Sequence, residues 1–402
     1  MKKIQDLASV KNIFLVGLVI FPLVFWPWSK IAFEVPRVVF INLWIVLLVV
    51  RSCLSFLSTT KQRKRNVDNI LVYLVFIFIA VSLLSSLLGS NITKSILGNY
   101  YRADGLLTLI HLIALFIVLV FSYEKSWFKS TAKAIAVGSF LVSLWSVYYA
   151  VQLYFFSNLF IPNWEGAIGV SFGNPILLSG YLTVSLPFVF YLLTKEKERK
   201  GLWIIFAVIQ ITAILLTFAW AGIALIFVTL SGYLLIKVKM KSSKKLILPL
   251  VSIFVFILIA SIPLYQKYIV NPKGPHLFMN RRRILTKGFL AFQQKPLLGW
   301  GWANFDHAFD ETIWPIKYEH DIYVDKAHST LLEVLTTTGI VGVIFYIAIV
   351  VKAGSNLYKE KSIESQFLLL TLLVFIIHSQ TNVISIAEEV VFWIILGISA
   401  RN

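Results

Sequence analysis

Cysteine is nearly absent from this sequence, and charge is scarce. Cys53 is the one cysteine, and a lone thiol excludes any disulfide within the chain. Charged residues make up 14% of it, against about 25% in soluble domains. Acids are the scarcer sign, with 19 Asp and Glu against 37 Lys and Arg and a formal net charge of +18. Histidines fall at no metal-ligand spacing such as His-x-x-x-His, so no metal site is supported. Gly299-Trp300-Gly301 lacks the strand and the further glycines of a nucleotide loop and reads as a turn. No internal repeat, low-complexity tract or second soluble domain is visible.

What is present is hydrophobicity: 58% apolar residues and a mean hydropathy of +0.82. Runs of roughly 20 apolar residues, enough to cross a hydrocarbon core ~30 Å thick, recur along the chain. They predict an all-α polytopic membrane protein of about twelve spans. These fall near 12–28, 37–58, 69–89, 105–122, 134–155, 175–194, 202–219, 221–236, 246–264, 329–351, 364–380 and 383–400. The last is the weakest, because only Val390 to Ser399 is continuously apolar. The first run has no small-residue cleavage site after it and reads as a retained span. The expected organisation is a membrane region 1–264, an outer loop 265–328 carrying an amphipathic helix, and a second membrane region 329–402.

The positive charge follows the loops. Runs such as Arg63-Lys64-Arg65, Lys195 to Lys200 and Lys237 to Lys245 fall on one side, while the short loops of the other hold only Lys30, Arg37, Lys94 and Arg102. The positive-inside bias then puts both termini in the cytoplasm and the long loop outside. Loop charge of this kind is no sign of nucleic acid. The long loop is itself basic, with nine Lys or Arg from Lys267 to Lys326, which suits an anionic ligand.

Within that loop, Arg281, Arg282 and Arg283 present planar forks of donors that match phosphate oxygens. On a helix they point about 100° apart, so one or two can face a single ligand. Contact with lipid head groups is the rival reading. Leu285, Gly288 and Phe292 follow Arg281 at helical spacing, as on an amphipathic helix at the membrane surface. His328, at the mouth of the tenth span behind Asp325 and Lys326, suits proton transfer. It equally suits a cap on the helix start with Ser329. Glu333, five residues on, lies roughly 140° around a helix from His328. His111 and His378 fall inside spans, where an imidazole bonded to a neighbouring helix is as good a reading as a functional one. Trp300, Trp302, Phe305, Phe309, Trp314, Tyr318 and Tyr323 supply an aromatic surface, which serves a sugar-stacking lid or a membrane-interface belt. The loop carboxylates fix no hydrolytic pair. Three further polar features open spans on the outer side: Phe33 to Arg37, Tyr100 to Gly105, and Phe172-Gly173-Asn174-Pro175.

Together these residues resemble the O-antigen ligase and polymerase superfamily of bacterial envelope glycosyltransferases. The resemblance rests first on the arginine-headed helix running from Arg281 into Pro296, Gly299, Gly301 and Phe305. Ala327-His328-Ser329, Leu332 and Glu333, followed by Thr338-Gly339-Ile340 and Gly342, carry the second part. Gly173 to Leu182 and the segment around Arg102 carry the rest. The resemblance implies transfer of a glycan from an undecaprenyl diphosphate carrier to an acceptor at the outer face of the cytoplasmic membrane, with no cofactor, metal or nucleotide sugar. It implies that Arg281, with Arg282, Arg283 or Arg102, holds the diphosphate and that His328 is the base. Asn174, Asp325, Glu333, Gly299 and Gly301 would be acceptor-side or structural. The acceptor, whether lipid, glycan or protein, separates ligase from polymerase from protein-glycosylating enzyme. One position departs from the family pattern: Trp220 stands where many relatives carry a second arginine. A transporter or flippase is the rival from another class. Against it, the spans show almost no internal charge and no inverted repeat.

Overall fold

The structure, a computed structural model, describes residues 9–58, 67–155, 167–237, 277–313 and 324–401. Among the described residues it is a bundle of helices with no strand beyond an isolated bridge between Val67 and Arg401. The helices are α1 (Val10–Ile20), α2 (Glu34–Ser58), α3 (Asn69–Leu87), α4 (Ile92–Leu97), α5 (Leu106–Ser122), α6 (Phe128–Phe155) and α7 (Pro175–Lys195). They continue as α8 (Lys200–Leu216), α9 (Trp220–Lys237), α10 (Leu277–Gln294), α11 (Phe305–Glu311), α12 (Thr330–Glu360), α13 (Ile363–Thr381) and α14 (Ile386–Ser399).

Each expected span on described residues overlaps one of these helices, the first only as far as Ile20; the ninth, 246–264, lies outside the described residues. By length and composition, 7 are able to cross a membrane: α2, α3, α6, α7, α9, α12 and α13. Of the other expected spans, α1, α5, α8 and α14 are shorter apolar helices. Their ends are set by local chemistry. Ser9, Asp68, Asn91, Asn174, Ser329, Ser362 and Ser385 each accept a backbone N–H of the first turn that the helix leaves unpaired.

Two helices are enclosed by the rest. The apolar window of α7 is 89% buried, with α6, α8 and α13 against it. α14 packs on α5 and buries nearly its whole surface. The span that looked weakest in the sequence is thus a core helix. One end of the bundle is tied by ion pairs: Lys125 to Glu360 at 2.8 Å, Lys133 to Glu196 at 2.6 Å, Lys129 to Glu196 at 2.8 Å and Lys352 to Asp68 at 2.7 Å. Burial opposes the Glu196 charge, but the two lysines and the Trp203 indole bring its pKa down to about 2.

The other end is organised by buried polar groups. Arg37, fully buried, bonds Glu34 Oε1 at 2.5 Å, the Phe21 carbonyl at 3.3 Å and the Ser171 carbonyl at 2.7 Å, and lies over the Phe172 ring at 4.0 Å. The second carboxylate oxygen of Glu34 accepts the Ile386 N–H at 3.0 Å. The Phe33 to Arg37 segment is therefore a clamp joining α2, the turn after α1, the turn before α7 and the start of α14. The spans also hold a buried polar pair. His378 Nδ1 meets Glu388 Oε2 at 2.7 Å, with both side chains 0% exposed.

At this same end the loop after α10 locks into α12. The helix breaks at Gly339 (φ 68, ψ −171), and the Pro296 to Gly301 turn fills the break. Trp300 and Gly301 N–H donate to the Thr336 and Thr337 carbonyls at 3.0 and 2.8 Å, and Ile340 N–H donates to the Pro296 carbonyl at 2.8 Å. Gly299 (φ 71) and Gly339 face each other's backbone so closely that a Cβ on either would strike it.

Candidate active site

A cavity of about 80 Å³ opens at the polar end. Four chain segments build it: the loop before α5 (Arg102, Asp104), Trp302 after the turn, the Lys326 to Glu333 entry into α12, and the Asn382 to Glu389 entry into α14. Glu34 completes it.

His328 lies in its wall, ahead of α12 rather than within it. Ser329 caps the helix, and His328 takes a left-handed backbone (φ 57) that non-glycine residues seldom adopt and that recurs at functional sites. His328 and Glu333 line the same cavity. The separation of 140° read from a helical wheel fails because the helix starts only at Thr330. His328 Nδ1 lies 3.1 Å from the Lys326 carbonyl. A carbonyl only accepts, so Nδ1 carries the hydrogen and Nε2 is left as the basic atom. Burial, together with the nearby Arg281 charge, lowers the His328 pKa below its usual value. The ring is neutral at neutral pH.

Arg281 approaches from α10. Its guanidinium donates to the Thr381 carbonyl and to Asn382 Oδ1, each at 2.9 Å. Asn382 in turn lines the His328 cavity, so the structure brings these two residues together across 46 intervening positions of the sequence, 282 to 327. Burial lowers the Arg281 pKa. No carboxylate pairs with Arg281 among the described residues. Arg282 is exposed and Arg283 partly so. The inward face of α10 is Ile284, Gly288 and Ala291, while Leu285 and Phe289 are exposed. The apolar face is therefore turned by about one residue from the one expected through Leu285.

The other cations of the cavity are neutralised. Arg102 Nε meets Asp325 Oδ2 at 2.5 Å. Burial opposes the Arg102 charge, but Asp325 raises its pKa. Lys326 pairs with Asp104 and lies 3.3 Å from Glu333. Burial opposes the Lys326 charge too, yet these carboxylates hold its pKa above the ordinary lysine value. Glu333 also accepts the Ala327 N–H at 2.8 Å, and Asp104 the Asn99 N–H at 2.9 Å. Asp325 and Glu333 thus hold cations and backbone in place.

The remaining expected residues lie elsewhere. Asn174 is exposed and caps α7 by accepting the Ile176 N–H at 2.8 Å. Gly299 and Gly301 belong to the interlock with α12. Trp300, Phe305 and Phe309 are 3%, 0% and 2% exposed, so they form a small core beside α10 rather than a lid. Trp302 alone of the described aromatics in this loop lines the cavity; Trp314, Tyr318 and Tyr323 lie outside the described residues. Trp220 opens α9 and does not line the cavity. His111 bonds the Leu107 carbonyl one turn back. Sequence reasoning named Glu34 only within the Phe33 to Arg37 segment, and it missed Asn382 and Glu389. The signal for the last was the glutamate pair in an otherwise apolar final span.

The family model described as O-Antigen ligase (Wzy_C) matches residues 178–347. This match supports a place in the O-antigen ligase-like superfamily. No curated protein matches the chain. The matched stretch includes Arg281 and His328, whereas Arg102, Asn382 and Glu389, which share the cavity with His328, lie outside it. Over this stretch, less than half of its length, the chain is similar to O-antigen ligases, and its described residues form a helical bundle with apolar helices long enough to cross a membrane.

Proposed function

We propose that the protein transfers a glycan from an undecaprenyl diphosphate carrier to an acceptor hydroxyl at the outer face of a bacterial cytoplasmic membrane. In this reading it has twelve spans with both termini inside. His328 Nε2 takes the proton of the acceptor hydroxyl as its oxygen attacks the anomeric carbon, inverting it. The bond from that carbon to the carrier diphosphate breaks, and the diphosphate leaves with the electron pair. Arg281 stabilises the charge that develops there. Asp325 and Asp104 hold Arg102 and Lys326 as walls of the site, so Arg281 is the guanidinium best placed to grip phosphate.

The observation that carries this reading is that Arg281 bonds Asn382, which lines the same cavity as His328. It sets a cation without a carboxylate partner beside a neutral imidazole with one basic nitrogen. The reaction needs no more titratable groups than these two.

The test is transfer in vitro from a synthetic undecaprenyl diphosphate glycan to a panel of lipid-linked, free-glycan and serine-peptide acceptors. His328→Ala is expected to lower the rate about 10²–10⁴-fold, the usual contribution of a general base. Arg281→Ala is expected to abolish transfer while the protein still inserts normally. Wild-type rates in both variants overturn the reading. The acceptor that supports the wild-type rate separates ligase, polymerase and protein-glycosylating activity.

A further inference from the structure

We propose that Glu389 binds a hydroxyl neighbouring the attacking one and so holds the acceptor against His328; this rests on the function proposed above. The cavity and its approach contain five carboxylates, and four are committed. Glu34 bonds Arg37 and the Ile386 N–H; Asp104 bonds Lys326 and the Asn99 N–H. Asp325 bonds Arg102, and Glu333 bonds Lys326 and the Ala327 N–H. Glu389 lines the cavity, and its carboxyl makes neither hydrogen bond nor ion pair among the described residues.

A carboxyl group in such surroundings is ordinarily paired, because desolvation without a partner is costly. Its neighbour shows the contrast. Glu388, one residue earlier on α14, closes the capping box with Ser385 and meets His378 on the side away from the cavity. Glu389 thus has the opposite disposition, with its carboxyl on the cavity side and its hydrogen-bonding capacity unspent.

The groups electrostatically coupled to it come from every wall: Lys326 and Asp104 from the two loops, Glu34 from α2, Tyr346 from α12 and Glu388 from its own helix. His328 belongs to the same cavity. A sugar hydroxyl entering between them can donate its hydrogen to His328 Nε2 while a second hydroxyl of the same ring donates to Glu389. A carboxyl carbonyl oxygen accepts such a bond whether the group is ionised or protonated. The ligand class is therefore a polyhydroxylated acceptor with two hydroxyls on neighbouring carbons, and Glu389 selects for the second.

The experiment compares wild type, Glu389→Ala and Glu389→Gln in the transfer assay, using the acceptor of the panel with the highest wild-type rate. The comparison is repeated with the same acceptor lacking the neighbouring hydroxyl. Glu389→Ala is expected to raise the acceptor KM about tenfold, the scale of one lost hydrogen bond, with the donor KM unchanged. Glu389→Gln, which keeps the accepting carbonyl, is expected to lie within about threefold of wild type, and the deoxy acceptor to erase the difference between wild type and Glu389→Ala. An unchanged acceptor KM in Glu389→Ala, or equal losses for both substrates, overturns the assignment of Glu389 while wild-type transfer upholds the parent reading. Wild-type protein that neither transfers to nor binds any acceptor of the panel overturns both.

Discussion

The interlock between the Pro296 to Gly301 turn and α12 gives the sharpest prediction of stability. Gly339 occupies a backbone region (φ 68, ψ −171) that is essentially restricted to glycine, and an alanine there carries roughly 1–3 kcal/mol of strain. The added methyl would also strike the Leu297 carbonyl. This atom is backbone and cannot rotate away, so the turn must shift. At risk are the bonds from Trp300, Gly301 and Ile340 at 3.0, 2.8 and 2.8 Å. At about 1 kcal/mol net for each, losing two brings the expected destabilisation of Gly339→Ala to about 3–5 kcal/mol. Gly354, in the same helix, is the control. A Cβ there meets nothing closer than the Leu369 and Leu372 methyls at 3.9 Å, so Gly354→Ala is expected to gain about 0.5–1 kcal/mol from lost unfolded-state freedom. The two variants should move in opposite directions in thermal unfolding of the detergent-solubilised protein followed by tryptophan fluorescence. A Gly339→Ala protein that melts with or above Gly354→Ala would refute the interlock. Because the turn anchors the C-terminal end of α10, Gly339→Ala should also loosen Arg281 and raise the donor KM.

The site makes further predictions. Transfer should fall on acidification with an apparent pKa below about 6.5, since burial and Arg281 both disfavour the imidazolium. Arg281→Gln should move the residual activity's acid limb upward, because the neutral side chain no longer opposes protonation; an unmoved limb would detach Arg281 from His328. Arg37→Ala leaves Glu34 buried without its cation and should destabilise by about 3–5 kcal/mol, read as a loss of monodisperse protein in detergent; Arg37→Lys cannot reach the same carbonyls and should not rescue it. Glu196→Gln should lower stability at neutral pH. Because the folded pKa of Glu196 is depressed, from 4.5 to about 2, its contribution is complete above the unfolded value, and the deficit should shrink as pH falls through that window. A deficit that persists unchanged below it would show that Glu196 acts by shape alone.

Much of this molecule was legible in the sequence because the membrane imposes one strong rule. A run of apolar residues near 20 long has few alternatives to a helix, so α2, α3, α7 and α13 could be drawn within a few residues of their ends. Arg281 and His328 were legible through motif, since each heads a recognisable segment. What was misread depended on facts that no local pattern contains. The face of α10 turned on Ile284 and Ala291 rather than Leu285, because the partner helix decides which of two adjacent apolar rows is buried. Glu333 was separated from His328 by a helical wheel drawn through Ser329, where the chain is not yet helical. Trp300, Phe305 and Phe309 were read as a surface, although a short loop between two helices needs a core of its own. Glu389 was not singled out, because it lies just ahead of the continuously apolar Val390 to Ser399 and no motif marks it.

The brevity of that last helix has a consequence for the bilayer. At 1.5 Å per residue, the 14 residues of α14 span about 21 Å, well short of a hydrocarbon layer ~30 Å thick. Its C-terminal end is fixed at the far side of the bundle, where Asp68 N–H bonds the Ala400 carbonyl at 2.8 Å. In the proposed twelve-span reading, the segment from Asn382 to Ser385 therefore lies below the level of the lipid head groups. Irregular backbone is tolerated at such depth only where protein or water meets its polar groups, and here the Arg281 guanidinium meets the Thr381 carbonyl on one flank and the Glu34 carboxylate the Ile386 N–H on the other. In the proposed orientation this is a polar notch sunk into the outer leaflet. A lipid-borne diphosphate could reach it sideways with its tail still among the acyl chains, while a water-borne acceptor must descend to meet it.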